Sequence, residues 1–162
     1  MNNEYVATSC SDSIRTHLKT QGKEINRDNL IAGGRELRAA HGPAILAEML
    51  RDANTAVEYL VIDSIRTPAE VKALRERPGF RLIEVRASRE VRWSRLQSRG
   101  RDGDPTDWDT FVSQEDSELE ASDDSGQALI ATAEMADIVI INDGEAEELR
   151  DALEMLLRPD ES

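Results

Sequence analysis

One cysteine, two histidines, three lysines and 4% aromatic residues are what this chain has little of. Each scarcity closes a class of function. Cys10 is alone, so an internal disulfide is impossible and a reducing compartment is expected. Lys19, Lys23 and Lys72 are the only lysines, and the net charge is -13. Binding to DNA or RNA without regard to sequence rests on a basic face, so no nucleic acid polymer is expected as a partner. No apolar run approaches membrane-spanning length and Met1-Asn2-Asn3-Glu4 does not open a signal peptide. No membrane is expected either, and the expectation is a soluble cytoplasmic protein. His17 and His41 stand without partners at ligand or triad spacing, and no zinc pattern, nucleophile elbow or glycosidase carboxylate pair can be assembled. The 39% hydrophobic content in 162 residues suffices for one aliphatic core. A single domain is expected over residues 1–158, with a frayed tail at 159–162.

What the chain does have is arginine in one place. Arg75, Arg77, Arg81, Arg86, Arg89, Arg92, Arg95, Arg99 and Arg101 fall within a short stretch. Guanidinium grips phosphate or carboxylate bidentately and stays charged at any working pH. An acidic chain that concentrates arginine predicts a small anionic ligand, a phosphorylated small molecule or nucleotide. Arg92, Arg95 and Arg99 follow i, i+3, i+7 spacing and form a stripe that Arg101 continues. The alternative is a solvated face paired with the chain's own acids, because residues 102–124 carry ten carboxylates and no basic residue.

Apolar runs separated by helical patterns predict an α/β fold with a parallel sheet flanked by helices. Strands are expected at Tyr5–Ser9, Val57–Ile62, Phe80–Ala87 and Asp137–Ile141. The last three are expected to be neighbours or near neighbours, joined by right-handed crossovers. Asp12 is read as the cap of a first helix, and Asn26 or Asp28 as the start of a second that Gly33-Gly34 interrupt. Pro43 fits the first turn of a third. Thr67 with Glu70 three residues on is a capping box, and Ser88 caps the arginine helix. A helix is expected over Thr106–Leu119, a polar break over Ser122–Gly126, a helix over Gln127–Met135 and a last one over Ala146–Leu157.

Ligands of such sheets bind at the carboxyl ends of the strands, where Asp63-Ser64-Ile65-Arg66, Arg86 and Asn142-Asp143-Gly144 fall. Asp63 at a strand end suits a Mg²⁺-bound water beside phosphates, or a simple cap. Arg66 suits a phosphate clamp, or a surface ion pair. Asp12 and Arg15 share a helix face, as a nucleotide site or an intrahelical pair requires.

Taken together these segments resemble the dephospho-CoA kinase and nucleoside monophosphate kinase group of P-loop kinases, over about Tyr5 to Leu157. Ser11-Asp12-Ser13-Ile14-Arg15 is similar to the family's Ser-Asp-x-x-Arg segment. Asp63 to Val71 is similar to its acidic strand end with a phosphate-binding arginine, and Arg92 to Arg101 resembles the start of its lid. Ala136 to Gly144 resembles the last strand and its Asn-Asp-Gly turn near the adenine. The resemblance implies a three-layer sandwich with a helical substrate-side region at 26–53 and a lid-like region at 89–124. It implies ATP-dependent phosphoryl transfer to a nucleotide or dephospho-CoA, with Mg and ATP as cofactors. It assigns Asp63, Arg95, Arg99 and Arg101 to catalysis, with Asp63 on the metal through water. Asp12, Arg15, Arg35 and Arg66 would hold the acceptor, and Arg92, Asn142 and Gly144 the cofactor. The family's first strand and its Gly-x-x-x-x-Gly-Lys-Ser/Thr loop do not occur in these residues. An impaired kinase is therefore expected, or a nucleotide-binding pseudokinase or interaction module. The sheet left without that strand would close up, take a strand from a homo-oligomer or partner chain, or be poorly stable.

Overall fold

A computed structural model describes residues 5–100, 104–120 and 129–157. The chain is α/β, with four short parallel strands and eight helices among the described residues. It divides into two compact units, Met1–Phe80 with Glu118–Met135, and Arg81–Ser117 with Ala136–Ser162. The expected tail at 159–162, the polar break and Arg101 lie outside the described residues. Among the described residues no helix is long and apolar enough to cross a membrane.

In the first unit β1 (Val6–Ser9) runs parallel to β2 (Leu60–Asp63), with Ser9 opposite Asp63. The partner of the Val57 segment is thus the Val6 strand. Pairing begins three residues later than the apolar run suggests, because the Val57 N–H closes a turn on Asn54 O at 3.1 Å and the Val57 carbonyl takes the Arg77 guanidinium. Between the strands come α1 (Cys10–Thr20), α2 (Arg27–His41) and α3 (Ile45–Ala53). The core forms where Cys10, Ile14 and Leu18 of α1 meet Leu37 of α2 and Leu46 and Leu50 of α3, with Ile62 packed against them.

Three local expectations are corrected here. Ser9, not Asp12, is the cap of α1; Asp12 is the reciprocal acid of the box. Gly33 and Gly34 do not interrupt α2, which runs through them. A Cβ on Gly33 would stand 3.1 Å from Ile14 Cγ2, so these glycines let α2 approach α1. Pro43 lies in the turn before α3 rather than inside it. That turn follows Gly42, whose φ of 101° closes α2 as glycine readily does. After β2, α4 (Pro68–Arg75) opens on the expected box, with Thr67 Oγ1 accepting the Glu70 N–H at 3.2 Å. α7 (Leu129–Ala133) completes the unit, and Arg75 donates to the Met135 carbonyl at 2.8 Å.

In the second unit β3 (Ile83–Arg86) pairs in parallel with β4 (Ile138–Ile141). β3 starts late because Leu82 is held by Asp137: its N–H donates to Asp137 Oδ2 at 2.7 Å. Helices α5 (Arg89–Arg99), α6 (Trp108–Glu120) and α8 (Ala146–Leu157) accompany this pair. Ser88 precedes α5 without a side-chain capping bond; its N–H instead donates to Asp143 Oδ1 at 2.6 Å. Trp93, Trp108 and Phe111 pack together with ring centroids 5.2–6.0 Å apart, and Phe111 is buried.

Candidate functional site

The carboxyl ends of β1 and β2 gather four of the expected residues: Asp12, Arg15, Asp63 and Arg66. Parallel register sets Ser9 beside Asp63, so the start of α1 and the loop after β2 emerge together. Asp12 Oδ2 accepts the Ser9 N–H at 2.9 Å and the Thr8 hydroxyl at 3.3 Å. Its Oδ1 takes Arg15 Nη1 at 2.9 Å, an exposed pair one helical turn long. Burial pulls the Asp12 carboxyl upward, but the Ser9 N–H and then the Arg15 guanidinium outweigh it and hold it below the usual aspartate range. Asp12 is thus first the reciprocal acid of the Ser9 capping box, and Arg15 a half-exposed arginine resting on it. Such a pair contributes at most about 1 kcal/mol and is readily exchanged.

Asp63 ends β2 exposed, its Oδ1 accepting the Ser64 hydroxyl at 2.9 Å. Ser64 has φ 61°, the left-handed region that a non-glycine residue enters at a cost of roughly 1–3 kcal/mol and that clusters at binding sites. Two residues on, Arg66 is exposed; among the described residues only its backbone N–H is engaged, with Glu70 Oε2 at 2.8 Å. Arg35, the remaining acceptor-side candidate, stays exposed on α2, and among the described residues no hydrogen bond or ion pair ties it to this edge.

Sequence reasoning missed the neighbouring Arg38, which reaches from α2 to Glu70 at 3.5 Å. No local signal marked it, because the burial of Glu70 and its meeting with α2 are set by tertiary packing. Cys10 lies beneath, and its thiol is pushed up to about 12 by burial first and by the Glu70 charge second. Among the described residues no group of three or more His, Cys, Asp or Glu is placed to hold a metal. Asp63 supplies one carboxylate; a Mg²⁺ there would need a ligand's phosphates and water for the rest of its shell.

The other candidates belong to the second unit, where most arginines are engaged. Arg92 makes a two-point contact with Glu115, Nε to Oε1 at 2.7 Å and Nη2 to Oε2 at 2.6 Å. The hydrogen bond to Glu115 raises its pKa above the ordinary guanidinium value. Arg99 contacts both oxygens of Asp104, and Arg89 spans Glu115 and Asp116. Arg95 donates to the Asn142 and Gly144 carbonyls, each at 2.8 Å, and so braces the turn after β4. Asn142 and Gly144 are thereby held by their backbones, and the Glu148 carboxylate folds over Gly144.

This geometry defines an α/β chain of parallel strands with an arginine-bearing carboxyl edge. No family model matches the sequence. A UPF0200 protein of Methanoregula boonei is 36% identical over 140 residues, 85% of this chain and 74% of that protein. Others from Methanococcus maripaludis strain C6 and Hyperthermus butylicus are 27% and 28% identical over 86% and 90% of this chain, and 75% and 76% of their own lengths. The chain belongs to the UPF0200 family.

Proposed function

We propose that the chain is a nucleotide-kinase-like protein that binds a phosphorylated small molecule, a nucleotide or dephospho-CoA, at the carboxyl edge of β1 and β2. The observation that carries this reading is Arg66: an exposed guanidinium with no hydrogen bond or ion pair among the described residues, two residues after a strained Ser64 and three after Asp63. Arginine fits phosphate bidentately, and this edge is where parallel sheets take their ligands. Arg15 can leave its exposed pair with Asp12 for the same phosphate, and the first turn of α1 adds a favourable dipole.

Binding is better supported than phosphoryl transfer from ATP. The transfer reading asks Arg99 to give up Asp104 and Arg92 to give up Glu115, while Arg95 braces a turn. A hydrogen bond to a charged group contributes about 1.5–3 kcal/mol, so Arg66→Ala is expected to weaken binding of AMP, CMP or dephospho-CoA about tenfold or more. Folding should be nearly unchanged, since the Arg66 side chain is exposed and makes no hydrogen bond or ion pair among the described residues. Calorimetric titration of both proteins decides it: equal affinities, or no binding by the wild type, would overturn the reading.

A further inference from the structure

Glu70 is fully buried, and its carboxylate does more than a capping box requires. One oxygen, Oε2, accepts the backbone N–H groups of Arg66 at 2.8 Å and Thr67 at 3.1 Å, and that completes the cap. The other, Oε1, is buried without a hydrogen bond and faces Arg38 Nη2 at 3.5 Å. Arg38 comes from another helix, with its side chain 17% exposed and its Nε buried without a hydrogen-bond partner. A buried carboxylate is costly unless a cation answers it, and Arg38 answers it only loosely. A guanidinium has five N–H donors, so most of those on Arg38 remain uncommitted toward Glu70.

α2 makes room for this arrangement. A Cβ on Gly34 would stand 3.3 Å from Arg38 Nη1, tighter than an ordinary contact, so glycine leaves the lane in which the guanidinium lies. The two oxygens of one carboxylate therefore hold the backbone of Arg66 and the head group of Arg38. The same charges meet at Cys10 below, which feels Glu70, Arg38, Asp63 and Arg66 after burial.

We propose that Arg38 is a further phosphate-binding residue of the β1–β2 edge, beyond Arg66 and Arg15, and that Glu70 is the positioning residue that holds Arg38 and the Arg66 backbone toward one phosphate. This rests on the binding reading above and adds to it the grip on the phosphate. α2 and the loop after β2 each contribute one guanidinium, and Glu70 ties the Arg38 head group to the backbone from which the Arg66 side chain extends. The loose contact at 3.5 Å lets Arg38 turn to the anion without breaking the cap, which uses the other oxygen.

The test is titration of AMP and of inorganic phosphate into the full chain, with thermal unfolding of every variant. Glu70→Gln keeps an acceptor for the cap and removes the charge that faces Arg38. Loss of a negative charge near a phosphate would by itself tighten binding. A weakening is therefore the signature of positioning, and a merely structural cap would move the melting temperature alone. Arg38→Met and Glu70→Gln are each expected to weaken AMP and phosphate about tenfold. The double variant should be no weaker than Arg38→Met, because Glu70 acts through Arg38. Arg38→Met leaves a buried charge unanswered; if it does not fold, the double variant, which buries no charge, carries the test. Wild-type affinity in that double variant overturns the proposal, as does unchanged or tighter binding by Glu70→Gln. If Arg66→Ala weakens AMP while Arg38→Met does not, the proposal fails and the site survives. If Arg66→Ala is silent, the site itself fails and the proposal falls with it.

Discussion

Cys10 is 2% exposed, in contact with the core that α1, α2 and α3 share. Burial and then the Glu70 charge raise its pKa from 9.0 to about 12. The folded thiol stays neutral over a range in which the unfolded thiol ionises, so ionisation favours the unfolded chain once the pH passes 9.0. Stability is unaffected by Cys10 below that value and falls as pH rises from there toward about 12. The expected outcome is that Cys10→Ala has a shallower alkaline loss of stability than the wild type, by at most about 1.4 kcal/mol per pH unit. Denaturant melts of both proteins between those limits measure it, and parallel curves would refute it. A thiol-reactive disulfide reagent should leave native Cys10 unmodified. The isolation of Cys10 was legible in the sequence, but its burial was not, because a lone cysteine after Thr8-Ser9 reads as part of a polar turn. Arg66 was legible through its place after an apolar run and an acid. Arg38 was not, because its role depends on a side-chain contact with Glu70 of α4 that no local pattern encodes.

At the scale of elements, the caps were the most readable features and the glycines the least. Thr67-Pro68-Ala69-Glu70 predicts its helix start from local chemistry alone, and the structure forms both reciprocal bonds. The box at Ser9 and Asp12 was misassigned by three residues, since either residue can cap and only the register of β1 selects Ser9. Gly33-Gly34 reads as a break by propensity. Tertiary contact overrides that reading, because Ile14 and Leu18 need the space. Strand lengths were overestimated where a side chain takes one of the backbone groups that a ladder would use: Arg77 on the Val57 carbonyl, and Asp137 on the Leu82 N–H. The box at α4 also bears on function, since it fixes the loop that carries Arg66. Thr67→Ala removes the acceptor of the buried Glu70 N–H, and Thr67 itself is 3% exposed. The substitution is expected to cost about 1 kcal/mol, within the usual range of about 0.5–2 for lost caps. Chemical denaturation checks this; a change below roughly 0.3 kcal/mol would mean that the start of α4 is held by packing alone.

At the scale of the whole molecule, charge decides which half of a kinase-like reaction these residues can support. The chain carries -13, and residues 102–149 contain no lysine or arginine. The arginines of the second unit are largely spent on the acids beside them: Arg89 and Arg92 on Glu115, and Arg99 on Asp104. A monophosphate needs one or two guanidiniums, and the site proposed at the β1–β2 edge would draw them from Arg66, Arg38 and Arg15. A triphosphate donor needs more, because phosphoryl transfer is catalysed mainly by positioning and neutralising charge. In P-loop enzymes a Gly-x-x-x-x-Gly-Lys-Ser/Thr run supplies backbone N–H groups, a lysine and a metal-binding hydroxyl for that purpose, and these 162 residues contain no such run. The expected outcome is that the 162-residue chain, supplied with ATP, Mg²⁺ and AMP, CMP or dephospho-CoA, turns over far below the roughly 1–100 per second of ordinary kinases. A coupled assay for ADP measures it. Turnover within that range would mean that Arg92 and Arg99 exchange their carboxylates for phosphate in the presence of ATP. The double variant Glu115→Gln with Asp104→Asn, which frees both arginines, would then raise the rate.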